Sequence, residues 1–381
     1  MRVAGFDLQY PEEELRFAIE RFEQILRSGF ISMGPNVAEF ERRWAEYCGV
    51  KYAIATANGT CSLEIILRAI GVKDATVIVP SHTFVATATA AILAGAKVIF
   101  TDCQRANFQM DPDDLRRKIR PDTKAVVLVH MSGIISPHLD EIKAVCDNHG
   151  VALVEDAAHA HGATIDGRKA GSLGIAASFS FFSTKVLTTG EGGMVTTNDR
   201  KVHSIARALR DQGRFGPEPN VHDDIGYNWR PSEFAAVLGV EQLNRAAEIL
   251  QRRREIARAY DQALRARKIP GINLLQIPDR IQSSYYKYIV YFEPPIERDK
   301  LKEKLKKDYG VALPGELYNR ACHTQPLFAR HPETIVAQPR ESFRETEYVI
   351  SNHFCLPLYP HLTDDQIQYV VASLEGAVRS L

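Results

Sequence analysis

Between residues 52 and 156 the chain alternates short apolar runs with helix-period segments, and that rhythm limits what it can fold into. "YAIATA" (52–57), "TVIVPS" (76–81), "AKVIFTDC" (96–103), "KAVVLVH" (124–130) and "VALVED" (151–156) read as strands. Between them, "TCSLEIILRAIG" (60–71), "ATATAAILAG" (86–95), "DPDDLRRKI" (111–119) and "LDEIKAVCDNHG" (139–150) read as helices, three of them ending at a glycine. Strands that are apolar along their length, joined by helical crossovers, build a mainly parallel sheet covered on both faces. In such sheets the ligand site lies beyond the carboxyl ends of the strands. That rule singles out Asn58, His82, His130, Asp156 and Lys185, each at or near a predicted strand end.

After about residue 245 the character changes. "QLNRAAEILQRRREIARAYDQALRARK" (242–268) reads as one long charged helix and "SYYKYIVYFEPP" (284–295) as an aromatic strand. "RDKLKEKLKKDYG" (298–310) and "TDDQIQYVVASLEGAV" (363–378) read as helices. The expectation is an α/β protein of two domains. Residues 1–245 form a large domain, a mainly parallel mixed sheet flanked by helices, and 246–381 a smaller C-terminal α/β domain. A chain of 381 residues is long enough for two cores.

Lys plus Arg and Asp plus Glu both total 47, which weighs against nucleic acid as the main partner. The basic stretch "QRRREIAR" (251–258) sits on a helix period and reads as a solvated face. Six scattered cysteines without a C-x-x-C pair suggest a reduced, cytoplasmic protein with no disulfide framework and no structural zinc. No basic region leads into an apolar one at the start, so no signal peptide is expected. The apolar stretch 84–100 is interrupted by Gly95 and Lys97 and reads as a helix followed by a strand rather than a membrane span.

Neither G-x-G-x-x-G nor G-x-x-x-x-G-K-[ST] occurs, so a dinucleotide fold and a P-loop both lack support. The histidines of "DAAHAHG" (156–162) lack a third ligand at a telling spacing, and no metal site is expected. A different set of residues converges. Asp156 closes a buried strand, where a carboxylate needs a strong partner. In "FSFFSTKVLTTGEGG" (179–193), Lys185 follows a strand-like run and precedes a glycine-rich turn. "ANGTCS" (57–62) turns straight into a helix, whose free N–H groups and dipole suit a phosphate. Singly, these are a solvated lysine and two helix caps. Together, at strand ends, an anion cradle, an amine and a buried carboxylate match the needs of pyridoxal phosphate.

Through these and further motifs the chain resembles the DegT/StrS family of pyridoxal-phosphate-dependent sugar aminotransferases, which have the fold type I architecture of aspartate aminotransferase. The motifs are "MGPNVAEFERRWAEYCGVKYAIATANGT" (33–60), "VEDAAHAHGA" (154–163), "SFSFFSTKVLTTGEGGMV" (178–195), "GYNWRPSEFAAVLGVEQL" (226–243), "CHTQPLF" (322–328) and "LPLYPHLTDDQ" (356–366). They occur in the family's order over nearly the whole chain. The resemblance implies that Lys185 bonds the cofactor and shuttles a proton, and that Asp156 pairs with the pyridine nitrogen. His159 would contact the ring's phenolic oxygen and Phe84 would stack on the ring. The phosphate would rest on the turn formed by Gly59, Thr60 and the Cys61 backbone, with Ser180, and with Asn228 from a second subunit. That last role implies a homodimer with shared sites; its plain alternative is that "GYN" is only a tight turn.

One segment departs from the family pattern. Where His-Leu-Tyr-Gly is usual, this chain reads "HMSGIISPHLDEI" (130–142), which puts Ser132 at a strand end expected to face the acceptor. His323 is a second candidate on the substrate side, or a buried structural histidine. The activity implied is transfer of an amino group from an amino acid, L-glutamate first among donors, through pyridoxamine phosphate to a nucleotide-linked keto-sugar. Such products feed polysaccharide or antibiotic biosynthesis. Alternatives are a keto-cyclitol acceptor, a related dehydratase, which Lys185 argues against, or a non-catalytic sensor.

Overall fold

The structure, a computed structural model, describes residues 1–381, with Arg340 followed along its backbone only. The expected alternation is present. Strands β1 (Tyr52–Thr56), β2 (Thr76–Pro80), β3 (Lys97–Thr101), β4 (Thr123–Val129) and β5 (Ala152–Asp156) are separated by helices. Helices α1 (Glu12–Ser28) and α2 (Pro35–Cys48) precede them; α3 (Gly59–Ala69), α4 (Val85–Leu93), α5 (Pro112–Lys118) and α6 (Leu139–Asn148) are the crossovers. After the short ribbon β6 (Thr164–Ile165) and β7 (Arg168–Lys169) come β8 (Ala176–Ser180), β9 (Gly193–Thr197) and α7 (Arg200–Arg210).

The main sheet has seven strands in the order β1-β9-β8-β5-β4-β2-β3. Only β9 runs against its neighbours, so the sheet is mixed and mostly parallel. Apolar clusters lie on its two faces. Trp44, Phe179, Phe181 and Leu128 belong to one, and Ile65, Val79, Val127 and Phe100 to the other. Burial on both sides explains why the strands carry almost no polar alternation.

The long charged helix is two helices. α8 (Glu233–Asn244) ends at Arg245, whose ψ is near 2°, and α9 (Ala246–Arg267) begins after it. The Arg245 guanidinium reaches the buried Glu14 carboxylate of α1 at 2.6 Å, and Gln242 donates to the same carboxylate at 2.5 Å. The aromatic run is also shorter than expected as a strand. β10 (Ile272–Leu274) and β11 (Ile281–Gln282) come before it, and only Tyr288–Phe292 forms β12, leaving 284–287 irregular. Next in the chain are α10 (Arg298–Tyr309), α11 (Pro326–Arg330), α12 (Arg344–Ser351), β13 (His353–Leu356) and α13 (Asp364–Arg379). β10, β12 and β13 form an antiparallel sheet that shares a second core with α9, α10 and α13.

The two cores exchange segments. Val3 bridges Val311 and sits in the second core, while Cys322, Phe328 and Phe343 pack onto the main sheet. Residues 84–100 are α4 and β3, and among the described residues no helix is long and apolar enough to cross a membrane. All six cysteines are free and buried.

Candidate active site

The carboxyl ends of β1, β5 and β8 meet because these strands are close neighbours in the sheet, and Asp156 pairs in register with Ser178. β1 runs into α3 through Asn58, whose side chain caps the helix by accepting from the Cys61 N–H at 2.9 Å. The Cys61 N–H expected to face an anion is therefore already engaged. Gly59 presses on the end of β8: a Cβ there would lie 2.9 Å from Ser180 Cβ, and Ser178 Oγ donates to the Gly59 carbonyl at 2.9 Å. Only glycine lets the helix start this close to the strand. The first turn of α3 points its remaining orphan N–H groups, those of Gly59 and Thr60, out of the helix beside Ser180.

Asp156 is buried at the end of β5. Thr87 Oγ1, from the first turn of α4, donates to its Oδ2 at 2.8 Å, and the Ala158 N–H donates to its Oδ1 at 3.2 Å. Burial pushes its carboxyl above the usual range, against the pull of these hydrogen bonds and of Lys185. Glu155, one residue earlier, faces the other way. It accepts from His130 Nε2 at 2.9 Å and from the backbone of Gly171, Leu173 and Gly174, which fixes the loop before β8.

Lys185 does not end a strand. β8 stops at Ser180, and Lys185 lies five residues on in a turn closed by its own N–H donating to the Phe182 carbonyl at 2.9 Å. Glycines 190, 192 and 193 follow and return the chain into β9. Burial, with repulsion from Lys287, pulls the Lys185 amine down to about 8, although Asp156 acts in the opposite direction. Amine and carboxyl are thus in electrostatic contact, and desolvation presses both toward neutrality.

Rings line the space around them. Phe84, at the N-terminus of α4, is 58% exposed and stacks loosely on Tyr318 at 6.3 Å between centroids. Tyr318 lies 6.4 Å from His159, and His159 stacks on Tyr286 at 4.2 Å with planes 17° apart. His159 Nδ1 is buried without a hydrogen-bond partner, and burial drives its ring well below the usual histidine range. His161, two residues on, is turned into the core against Trp44 and Phe181. Among the described residues no group of three or more His, Cys, Asp or Glu could hold a metal.

Three expected residues stand apart from this group. Ser132 is buried with φ 58°, and its Oγ donates to the Lys287 carbonyl at 2.7 Å, which ties the turn to residue 287. His323 is mostly buried, with Nδ1 2.5 Å from Ser81 Oγ and its ring stacked on Phe343 at 4.0 Å. Asn228 is exposed, in a backbone bridge with Asp211. Sequence reasoning missed Thr87, Tyr286 and Tyr318. Thr87 carries a faint signal, as a polar residue in the first turn of an apolar helix.

A model of the DegT/DnrJ/EryC1/StrS aminotransferase family matches residues 13–375. GDP-perosamine synthase of Vibrio cholerae is 31% identical over 355 residues, covering 90% of this chain and 91% of that one. The dTDP-3-amino-3,4,6-trideoxy-alpha-D-glucose transaminase of Micromonospora megalomicea subsp. nigra is 32% identical, over 100% of this chain and 99% of that one. Among solved structures, S. venezuelae DesV in complex with a ketimine intermediate superimposes with a TM-score of 0.91 at 30% identity, covering 100% and 99%.

Proposed function

Because this chain belongs to the DegT/DnrJ/EryC1/StrS aminotransferase family, and is thus an aminotransferase, we propose that it moves an amino group from an amino acid onto a nucleotide-linked keto-sugar, using pyridoxal phosphate. The observation that carries the reading is that Lys185 and Asp156 act on each other's charge near the carboxyl ends of β8 and β5, while α3 opens at the carboxyl end of β1 in the same sheet. The names of the relatives, a GDP-sugar synthase and a dTDP-sugar transaminase, support the acceptor class.

The residues present fit the cofactor. The lack of a Cβ at Gly59 lets α3 begin against Ser180, which sets its first-turn N–H groups beside that serine, and His159 Nδ1 is a buried polar atom without a partner. Thr60, Ser180 and the first-turn N–H groups would hold the phosphate, and Phe84 offers an exposed aromatic face to the ring. Bound there, the cofactor supplies a carbonyl that carries the amino group and a ring that takes up negative charge. Asp156, buried and held by Thr87 and Ala158, keeps a proton at the ring nitrogen. Lys185 Nζ, near 8, is poised to take and return a proton close to neutral pH. The surrounding rings shield the half-buried lysine in part from water.

The same reading makes the protein a homodimer in which Asn228 completes its partner's phosphate site. Support comes from the apolar side chains left exposed near that loop, along α1 and just beyond it. Ile225 is 83% exposed, and Ile19, Leu26 and Phe30 are each at least 65% exposed. Free buried cysteines support a cytoplasmic enzyme, and L-glutamate is the proposed donor.

The test is direct. Purified protein should be yellow, and borohydride should fix the cofactor on the peptide containing Lys185. A panel of nucleotide keto-sugars and keto-cyclitols with glutamate should show turnover on the former. Label on another lysine, or turnover confined to cyclitols, sinks the corresponding part.

A further inference from the structure

Residues 283–287 join β11 to β12 without regular pairing, yet each is tied down. Ser283 Oγ donates to the Gly133 carbonyl at 3.0 Å, and Ser284 Oγ to the His159 carbonyl at 2.7 Å. The Tyr286 N–H donates to the Ser132 carbonyl at 3.0 Å. From α9, the buried Arg253 guanidinium donates to the carbonyls of both Tyr285 and Tyr286 at 3.0 Å. Lys287 Nζ donates to the carbonyls of Gly315 and Glu316 at 2.5 and 2.9 Å.

What this framework fixes is the ring of Tyr286. Its hydroxyl lies 3.2 Å from Thr184 Oγ1, one residue before Lys185, and its plane stacks on His159. Lys185 Nζ sits over that ring, 4.8 Å from the centroid. An aromatic face attracts a cation at this range, the more so where water is scarce. The charged and titratable groups facing the amine from other elements are Asp156, which attracts it, Lys287, which repels it, and the histidines 159 and 161.

We propose that Tyr286 is a positioning residue whose ring is the resting place of the Lys185 ammonium whenever that amine is not bonded to the cofactor. The inference rests on the reading of Lys185 as the cofactor-bearing lysine, and adds what restrains it while the cofactor carries the amino group. Held there, Nζ cannot swing to solvent and stays within reach of the reacting atoms. Hydrogen bonds to four separate segments, residues 132–133, His159, α9 and residues 315–316, hold 283–287 in place for this task.

The experiment varies the ring's electrons at constant shape. Tyr286→Phe keeps the face, and fluorinated phenylalanines at position 286 weaken its negative charge stepwise. The rate of Lys185 acetylation against pH, read by mass spectrometry on the full-length chain, reports the amine's titration midpoint without cofactor. The expected result is a stepwise fall reaching about half a pH unit to one unit in the most fluorinated variant. In the loaded enzyme kcat should fall severalfold with KM nearly unchanged. A midpoint that stays constant across the series overturns the proposal. Tyr286→Leu is a second check: a folded Leu variant whose midpoint matches the parent also overturns it. If the midpoint tracks the ring while borohydride labels another lysine, the local interaction stands and the assignment of Lys185 falls.

Discussion

Thr87 Oγ1 donates to Asp156 Oδ2 at 2.8 Å, so the first turn of one crossover helix holds the carboxylate that ends a strand two positions away in the sheet. Thr87→Val keeps the shape and removes the donor. Left with one backbone partner, the carboxyl should be harder still to ionise. A loss of about 1.5–3 kcal/mol in urea unfolding is expected for a hydrogen bond to a charged group, together with weaker cofactor uptake. Unchanged stability and uptake would show that the threonine is a bystander.

The Lys185 amine falls from an ordinary 10.5 to about 8, which makes a signed prediction for the cofactor-free chain. Between these two values the unfolded chain binds more protons than the native one, so this group's contribution to stability rises with pH. Below about 8 the full penalty of a desolvated ammonium is present. Lys185→Met should therefore melt higher than the parent at pH 7, and the gap should narrow from pH 8 upward. Transamination should vanish in the same variant. A gap independent of pH would refute the assigned cause.

Glu233 is fully buried and accepts from the N–H groups of Gly34, Asn36 and Val37 and from the Asn36 side chain, all within 2.9 Å. It is the external cap of α2. Glu233→Gln turns an N–H donor toward other donors and should cost about 2–4 kcal/mol. Chemical denaturation measures this; a loss below half a kcal/mol would contradict the cap.

Arg253 holds two adjacent carbonyls with two nitrogens of one rigid, planar group, whereas a lysine would bring a single nitrogen on a shorter, flexible stem. Arg253→Lys should lose one of these bonds. Hydrogen exchange at residues 284–287 should then accelerate about tenfold, for a weakening of about 1.4 kcal/mol. Equal exchange in both proteins would place the anchor elsewhere.

Much of the fold is legible in the sequence because apolar strands and amphipathic helices write their periods locally. The five strands and four helices between 52 and 156 follow from that pattern alone. The break at Arg245 does not, since it depends on Glu14, more than two hundred residues away. Asp156 is legible as an acid closing a strand and Lys185 as an amine beside a glycine-rich turn, although Lys185 lies in that turn and not at a strand end. Tyr286 was hidden inside a run that reads as a strand, and a folded chain was needed to lay it beneath Lys185. Ser132 shows the same limit: its place past a strand is legible, but the direction of its hydroxyl is set by the Lys287 carbonyl.

The bridge between Val3 and Val311 bears on how the molecule is made. A polypeptide made from the amino end can close its seven-stranded sheet early, but the segment around Val3 must wait for a partner some three hundred positions downstream. Until that partner emerges from the ribosome, the Val3 segment stays undocked and open to proteases and chaperones.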